Sequence, residues 1–286
     1  MTLDRILEFF LLAVLVVMLL SFTIFLYEKS NRDDIQIKSL ITVGNFWLTL
    51  RILAFEYLCL LVTLLLWPFG FVKWAESGDD AEKQTPVLFL HGLFFNKACW
   101  TVMKWRLKVL GVTNLHTINL PPTRDIETLT EKVALKVDTL RHTYGCDKVH
   151  LVCHSMGGII ARNFVQIRGG ADKVEQCILV GAPNKGSKLA PFALTKLSEA
   201  IMPGSEFLTN LNGKPIPKKV TLTNIYSRHD NMVIPFDRAI LDKAINIELT
   251  GKGHNSLLYD NSVFKHILSI LKACHAHDSD QQPQAG

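Results

Sequence analysis

The stretch Leu151-Val-Cys-His-Ser-Met-Gly-Gly158 decides which fold this chain predicts. Apolar residues precede Ser155, as in a buried parallel strand, and the residues after it have the pattern of an amphipathic helix. A serine between such a strand and helix lies on a sharp turn that exposes its hydroxyl, and the turn needs small residues two positions away on each side. Gly157 is one of these, but Cys153 stands where glycine is usual. The strand and the helix, more than the five-residue pattern, therefore predict that Ser155 is a nucleophile.

Strand and helix patterns alternate along the chain after residue 86. The predicted strands are 87–90, 115–120, 148–153, 176–181, 220–226 and 246–250, and the predicted helices are 100–110, 126–142, 157–168 and 264–274. This alternation predicts a mostly parallel sheet covered by helices on both faces, with ligands bound beyond the carboxyl ends of the strands. An apolar helical insertion at 188–211 is either a cap that contacts the substrate or an ordinary helix packed on the sheet.

A serine nucleophile needs a histidine to take its proton and a carboxylate to orient that histidine. Among the histidines after Ser155, His254 lies in a glycine-flanked loop directly after the last predicted strand. Asp230 follows the preceding strand by a short turn, and the alternatives Asp237 and Asp242 fall where a solvated helix is expected. The sequence thus predicts Ser155, Asp230 and His254 as the catalytic residues.

Backbone donors for the oxyanion of an acyl-transfer intermediate are expected from two loops. One donor is the N–H of Met156, the residue after the nucleophile. The other belongs to the loop after the first strand, where Leu93 is the first choice and Phe94 the second, although a plain turn fits this loop as well. The predicted substrate contacts are Phe94, Phe95, Phe192 and Leu197.

Five motifs follow one another between Pro86 and Leu271. They are His91-Gly-Leu93, Cys153-His-Ser-Met-Gly-Gly158, Gly181-Ala-Pro-Asn-Lys-Gly-Ser187, Ser227-Arg-His-Asp230 and Gly251-Lys-Gly-His-Asn-Ser-Leu-Leu258. Together they resemble the small bacterial triacylglycerol lipases and esterases of the α/β-hydrolase superfamily. The resemblance implies the α/β-hydrolase fold and hydrolysis of lipid or other hydrophobic esters through a serine acyl-enzyme, with no metal and no organic cofactor. Cys153 and the apolar N-terminal segments depart from the minimal secreted lipases, so secretion is not implied.

The same three catalytic residues serve several reactions. Acyl transfer to an acceptor other than water, thioester hydrolysis and phospholipid deacylation are the alternatives among enzymes. A membrane scaffold that kept the fold without catalysis is the alternative outside them, and the complete serine, aspartate and histidine set argues against it.

The apolar excess of the chain lies in its first 72 residues. Hydrophobic residues make up 48% of the sequence and the mean hydropathy is +0.20. From Ile6 to Leu26 the only polar residues are Glu8, Ser21 and Thr23, and a helix of this length crosses a bilayer core of about 30 Å. A signal peptide has a shorter apolar stretch and a small-residue cleavage pattern, so this segment predicts an uncleaved anchor.

A second apolar stretch runs from Phe46 to Trp74 and contains Arg51 and Glu56. It predicts either a second span or a deeply seated interfacial helix, with Glu56 near a head-group boundary or paired with Arg51. The flanking aromatics are Trp47, Trp67 and Trp74, as expected at a membrane interface.

These observations divide the chain into four parts. We expect a membrane anchor at 1–74 with one or two transmembrane helices near 6–27 and 50–72, a linker at 75–85, an α/β-hydrolase domain at 86–273 and a disordered tail at 274–286. The expected partners are the bilayer and a hydrophobic ester.

The net charge of +5 is not clustered, which argues against nucleic acid as a partner. The expected location is a bacterial inner membrane. The numbers of lysines and arginines between the two apolar segments and outside them are similar, so they do not fix the side of the catalytic domain. Unpaired cysteines and the absence of Asn-x-Ser/Thr favour the cytoplasmic side for that domain.

Overall fold

A parallel sheet of six strands forms the centre of the protein. The computed structural model describes residues 2–33, 42–72 and 84–280. The strands are β1 (Val87–Leu90), β2 (Leu115–Ile118), β3 (Val149–His154), β4 (Val174–Val180), β5 (Thr221–Ser227) and β6 (Ile245–Leu249). They lie in the order β2-β1-β3-β4-β5-β6, and every neighbouring pair is parallel. The predicted α/β-hydrolase architecture is confirmed, with each strand within a few residues of its expected position.

Helices cover both faces of this sheet, because alternate strand residues point to opposite sides. In the part of the chain after residue 84 they are α3 (Thr101–Val109), α4 (Ile126–Tyr144), α5 (Met156–Gln166), α6 (Lys196–Glu199), α7 (Glu206–Gly213) and α8 (Asn261–Asp280). Leu88 and Leu151 belong to a buried cluster with α4 and α5, whereas Phe89 and Val152 belong to a second cluster with α3 and α8. The carboxyl ends of the strands lie between the helices on one face of the sheet and those on the other.

Two long apolar helices precede the sheet, α1 (Leu3–Asp33) and α2 (Val43–Leu66), the second followed by a 3-10 turn at Trp67–Phe71. Both are long and apolar enough to cross a membrane, with mean hydropathies of 3.0 and 2.1, and only 22% of each apolar window is buried. A core helix or a signal sequence passes the same length and composition test, but a core helix would be mostly buried.

Helix α2 packs with one face against the domain that contains the sheet. Its buried residues Ile52, Glu56, Cys59 and Thr63 recur every three or four positions, so they share one face. Glu56 is fully buried and bonded to the domain, which corrects the expectation of a head-group position or a pair with Arg51. The opposite face carries exposed apolar side chains, as at Leu50, Leu58 and Leu65.

Helix α8 extends past the predicted end of the domain at 273. It is described to Asp280, within the segment expected to be a disordered tail, and the four-part division of the chain stays a prediction. Residues 281–286 lie outside the described part of the chain, as do Trp74 and residues 75–83 of the predicted linker. The insertion at 188–211 is not one helix but a 3-10 turn at Ala190–Ala193 followed by α6 and the start of α7.

Candidate active site

Ser155 lies on the turn between β3 and α5, at the carboxyl edge of the sheet. Its backbone has φ 54° and ψ −125°, a conformation that non-glycine residues rarely adopt. Such a residue carries about 1–3 kcal/mol of strain and is held by its surroundings. Its N–H donates to the Val180 carbonyl at 2.9 Å. A Cβ on Gly157 would lie 2.6 Å from the Leu90 carbonyl oxygen and 2.7 Å from that of His91, so α5 approaches β1 closely only because this residue is glycine.

Cys153 replaces the other usual glycine without disturbing the turn. Its side chain is fully buried in the sheet, between the positions of Leu90 on β1 and Leu179 on β4. Burial raises the pKa of its thiol well above the ordinary value, so the group stays protonated. Within the described part of the chain the six cysteines form no disulfide, and all but Cys146 are buried, as expected for small hydrophobic residues.

His254 and Asp230 form a buried pair beside this turn. The His254 Nδ1–H donates to Asp230 Oδ2 at 2.8 Å. The other carboxylate oxygen, Oδ1, accepts the backbone N–H groups of Met232 at 2.8 Å and Val233 at 2.9 Å. The His254 N–H in turn donates to the Asn231 side-chain oxygen at 3.0 Å. The two side chains are therefore held in one orientation, with Nε2 as the remaining ring nitrogen of His254.

The charges around His254 raise its pKa. Burial alone would lower the pKa, but the charge and hydrogen bond of Asp230, together with the charge of Glu56, outweigh burial and raise it above the ordinary 6.5. The neighbouring His154 shows the opposite shift, because it is fully buried and faces His254, with the ring centroids 4.7 Å apart. Its pKa lies well below 6.5, so His154 is neutral at neutral pH.

The loop after β1 is fixed by His91. Its Nε2 accepts the Leu120 N–H at 2.8 Å, which places the proton on Nδ1, where it donates to the Gly92 carbonyl at 2.8 Å. Burial lowers the His91 pKa to about 4, so this neutral form persists. Gly92 touches the turn that carries Ser155, since a Cβ there would lie 2.9 Å from Ser155 Cβ. Phe94 has φ 62° and is 53% exposed.

One cavity of about 310 Å³ connects these groups. Ser155, His254, Leu93 and Met156 all line it, together with Phe94 and Phe95. Asp230 lies behind His254, whereas the alternative Asp242 is exposed and paired with Lys185 at 3.2 Å. Asp237 lies on the 3-10 turn Phe236–Ala239 and does not line the cavity.

The structure does not bring the other two predicted substrate contacts to this cavity. Phe192 is 72% exposed to solvent, and Leu197 is buried in the core below the insertion, so neither lines the cavity. The insertion contributes other residues instead, Leu189, Ala190, Ala193 and Ile201. The apolar periodicity correctly indicated helices but did not show which side of them faces the substrate.

Both N-terminal helices line the same cavity, which the sequence analysis missed. Val17, Met18 and Ser21 of α1 and Leu60 and Leu64 of α2 form part of its wall. Glu56 and Ser21 also bond to the loops that carry His254 and Asp230. The one sequence signal for this contact was a charged residue inside an apolar stretch.

One group of potential metal ligands occurs among the described residues, at the opposite end of the sheet. His150, Glu175 and Cys274 bring their ligand atoms within 4.8 Å of one another. His150 and Glu175 lie at the amino ends of β3 and β4, so the group does not contact the cavity.

Comparison with known proteins agrees with this architecture. The sequence profile of the α/β hydrolase family matches residues 87–213. A triacylglycerol lipase of Pseudomonas fragi is 27% identical over 152 residues, which cover 48% of this chain and 51% of that lipase. The chain thus spans about half the length of the curated relative it matches.

Solved structures of lipases share the fold. The mature form of a Bacillus licheniformis lipase superimposes with a TM-score of 0.58 at 20% identity, over 70% of this chain and 96% of that one. Aspergillus fumigatus lipase B gives 0.62 at 18% identity, over 70% of this chain and 55% of that one.

Proposed function

We propose that this chain, an α/β-hydrolase that resembles lipases, hydrolyses carboxylic esters of lipids or other hydrophobic compounds through a serine acyl-enzyme. The observation that carries the proposal is that His254 and Ser155 line the same cavity, and that the His254 Nδ1–H donates to the buried Asp230 carboxylate behind it at 2.8 Å. These are the groups that a serine hydrolase of this kind requires, in the chain order of α/β-hydrolases.

The proposed first step is attack by the Ser155 hydroxyl oxygen on the ester carbonyl carbon. His254 Nε2 takes the hydroxyl proton, and Asp230 stabilises the resulting imidazolium. The tetrahedral oxyanion accepts hydrogen bonds from the backbone N–H groups of Leu93 and Met156, which line the cavity beside Ser155. When the intermediate collapses, the alcohol leaves with the proton from His254.

The second step releases the acid. His254 takes a proton from water, the hydroxide oxygen attacks the acyl carbonyl, and the Ser155 oxygen leaves with the proton returned by His254. Protonated His254 cannot accept the serine proton, so each round starts from the neutral imidazole.

The composition of the cavity wall supports a hydrophobic acyl group as substrate. Apart from the catalytic residues its lining is mostly aliphatic and aromatic, and five of the lining residues come from α1 and α2. Burying a chain against such a wall is favourable by about 0.8 kcal/mol per methylene. The substrate class is therefore proposed to be esters with an extended apolar acyl chain.

The exposed faces of α1 and α2 support contact with a lipid bilayer. Because α2 is fixed to the hydrolase domain along its buried face, only its opposite face is available to lipid. That face carries large apolar side chains, among them Leu58 and Leu65, and Phe69 is exposed on the 3-10 turn that follows. We propose that the helix pair embeds this face in the membrane, which brings the mouth of the cavity next to the lipid.

The direct test is hydrolysis of a short-chain nitrophenyl ester by Ser155→Ala. We expect a loss in kcat of about 10⁴-fold or more, because the nucleophile is removed. The matched control is Ser269→Ala on the exposed side of α8, which should keep wild-type activity. Hydrolysis by folded Ser155→Ala at the wild-type rate contradicts the proposal.

A further inference from the structure

Glu56 is a charged residue in the buried face of an otherwise apolar helix. It is fully buried where α2 meets the hydrolase domain, about two hundred residues away in sequence from the groups it contacts. A buried carboxylate is expensive unless each oxygen accepts hydrogen bonds. Its partners therefore indicate why it is there.

The Glu56 carboxylate accepts three hydrogen bonds, all from the two residues after His254. Oε1 accepts the Asn255 backbone N–H at 2.7 Å and the Asn255 side-chain N–H at 2.8 Å, and Oε2 accepts the Ser256 backbone N–H at 2.8 Å. The residue before His254 packs just as closely, since a Cβ on Gly253 would lie 2.4 Å from Glu56 Oε2. The carboxylate thus holds the backbone of the histidine loop on both sides of His254.

Helix α1 reaches the same loop by a second route. The Asn231 side-chain oxygen accepts the His254 N–H at 3.0 Å, and the Asn231 side-chain N–H donates to Ser21 Oγ of α1 at 2.8 Å. The charged and titratable groups around Glu56 are His254 and Asp230 in the site, Cys59 on its own helix, and the Lys252–Asp260 ion pair at 2.5 Å beside the loop. The Glu56 charge favours a positive His254.

We infer that Glu56 is a positioning residue for His254, through which helix α2 completes the catalytic site. The inference rests on the proposed function, in which His254 is the base. On this view the N-terminal helix pair does more than attach the protein to a membrane. The backbone N–H groups of Asn255 and Ser256, next to His254, have their Glu56 acceptor only when α2 is docked. Glu56 itself does not touch the reacting atoms.

Glu56→Gln tests this role, because glutamine keeps the size of the side chain but has only one acceptor oxygen and no charge. At least one donor of the loop then faces an amide N–H, and His254 loses a nearby negative charge. With a short-chain nitrophenyl ester we expect kcat to fall by about tenfold to a hundredfold with KM within about twofold, as for a base displaced by less than 1 Å. The acid limb of kcat/KM should move to lower pH, because the protonated form of His254 is less stabilised.

Thr63→Val is the matched control on the same face of α2. The Thr63 hydroxyl and the Tyr259 hydroxyl lie 2.7 Å apart, so this variant also removes a hydrogen bond between α2 and the domain, but away from His254. Its kcat and acid limb should match the wild type. A purely structural role for Glu56 would lower the melting temperature of both variants and leave the pH profile unchanged.

Folded Glu56→Gln with wild-type kcat and pH profile overturns the inference. If Glu56→Gln is not recovered folded, Asn255→Ala takes its place, because it removes one bond to Glu56 and leaves the charge; kcat should fall, and a wild-type kcat overturns the inference. Ser155→Ala separates the two claims. Its full activity refutes the proposed function, whereas an inactive Ser155→Ala beside a wild-type Glu56→Gln refutes only the role of Glu56.

Discussion

Replacing Asp230 with asparagine separates the charge of the carboxylate from its shape. Oδ1 of Asp230 accepts two backbone N–H groups, from Met232 and Val233, and Oδ2 accepts the His254 Nδ1–H. The single oxygen of an asparagine must therefore face the two backbone donors, which puts its NH₂ group opposite His254 Nδ1. Nδ1 then has to accept, and the ring proton moves to Nε2. In this tautomer His254 cannot take the Ser155 proton.

The expected loss follows from that tautomer. Both the wrong protonation site and the loss of the stabilising charge act on the transition state, and together they are expected to lower kcat by about 10⁴-fold, or about 5.4 kcal/mol. KM should change little, because Asp230 lies behind His254 and does not line the cavity.

The pH profile of ester hydrolysis provides the second readout. Since Asp230 raises the pKa of His254, the wild-type kcat/KM should rise with pH through an apparent pKa above 6.5. This pH dependence has the sign expected of a general base, because activity is lost when the pH falls below the raised pKa and the imidazole becomes protonated. In Asp230→Asn the residual activity should have its acid limb at lower pH.

Asp242→Asn is the matched control, because Asp242 was the alternative carboxylate and is exposed with a Lys185 partner. It should keep kcat and the pH profile of the wild type. The reasoning fails if folded Asp230→Asn retains kcat within about tenfold of the wild type, or if Asp242→Asn loses as much as Asp230→Asn.

Two further predictions concern the N-terminal helices. Leu64→Trp, inside the cavity, should lower kcat/KM for long-chain nitrophenyl esters by about tenfold or more relative to short-chain ones. Leu65→Trp, on the exposed face, should not alter this ratio. An equal effect of both variants contradicts the assignment of Leu64 to the cavity wall. In vesicle flotation, the double variant Leu58→Lys with Leu65→Lys should bind at least about tenfold less protein, because each leucine buried in lipid contributes about 1.5–3 kcal/mol. Val109→Lys with Leu135→Lys, equally exposed on α3 and α4, should bind like the wild type; equal loss in both double variants contradicts the membrane face.

The sheet and the positions of Ser155, Asp230 and His254 were predictable because their signals are local. The predicted strands 87–90, 148–153 and 176–181 are short, mostly apolar runs and the others mix apolar with polar residues, and each of the three residues follows the end of a predicted strand. Parallel strands place their carboxyl ends at one edge, so local patterns were enough to expect these residues together. The pairing of His254 with Asp230 then required only the chain order known for such sites.

The docking of α2 was not predictable in the same way. Its apolar composition fits a membrane helix and a helix packed on a domain equally well, and nothing near Glu56 in sequence indicates a partner about two hundred residues later. The placement of Phe192 and Leu197 away from the cavity has a related cause. The insertion is broken into short pieces, so one helical period across 188–211 did not indicate which side chains face the cavity.

The central claim is that Ser155 is a nucleophile activated by His254 in this cavity, and covalent labelling tests it most directly. The protein is treated with a fluorophosphonate probe, digested, and the modified residue is identified by mass spectrometry, in parallel with His254→Ala and Ser269→Ala. The account predicts modification of Ser155, a rate lowered by orders of magnitude in His254→Ala, and the wild-type rate in Ser269→Ala. Modification at another residue, or equal labelling rates in His254→Ala and the wild type, contradicts it.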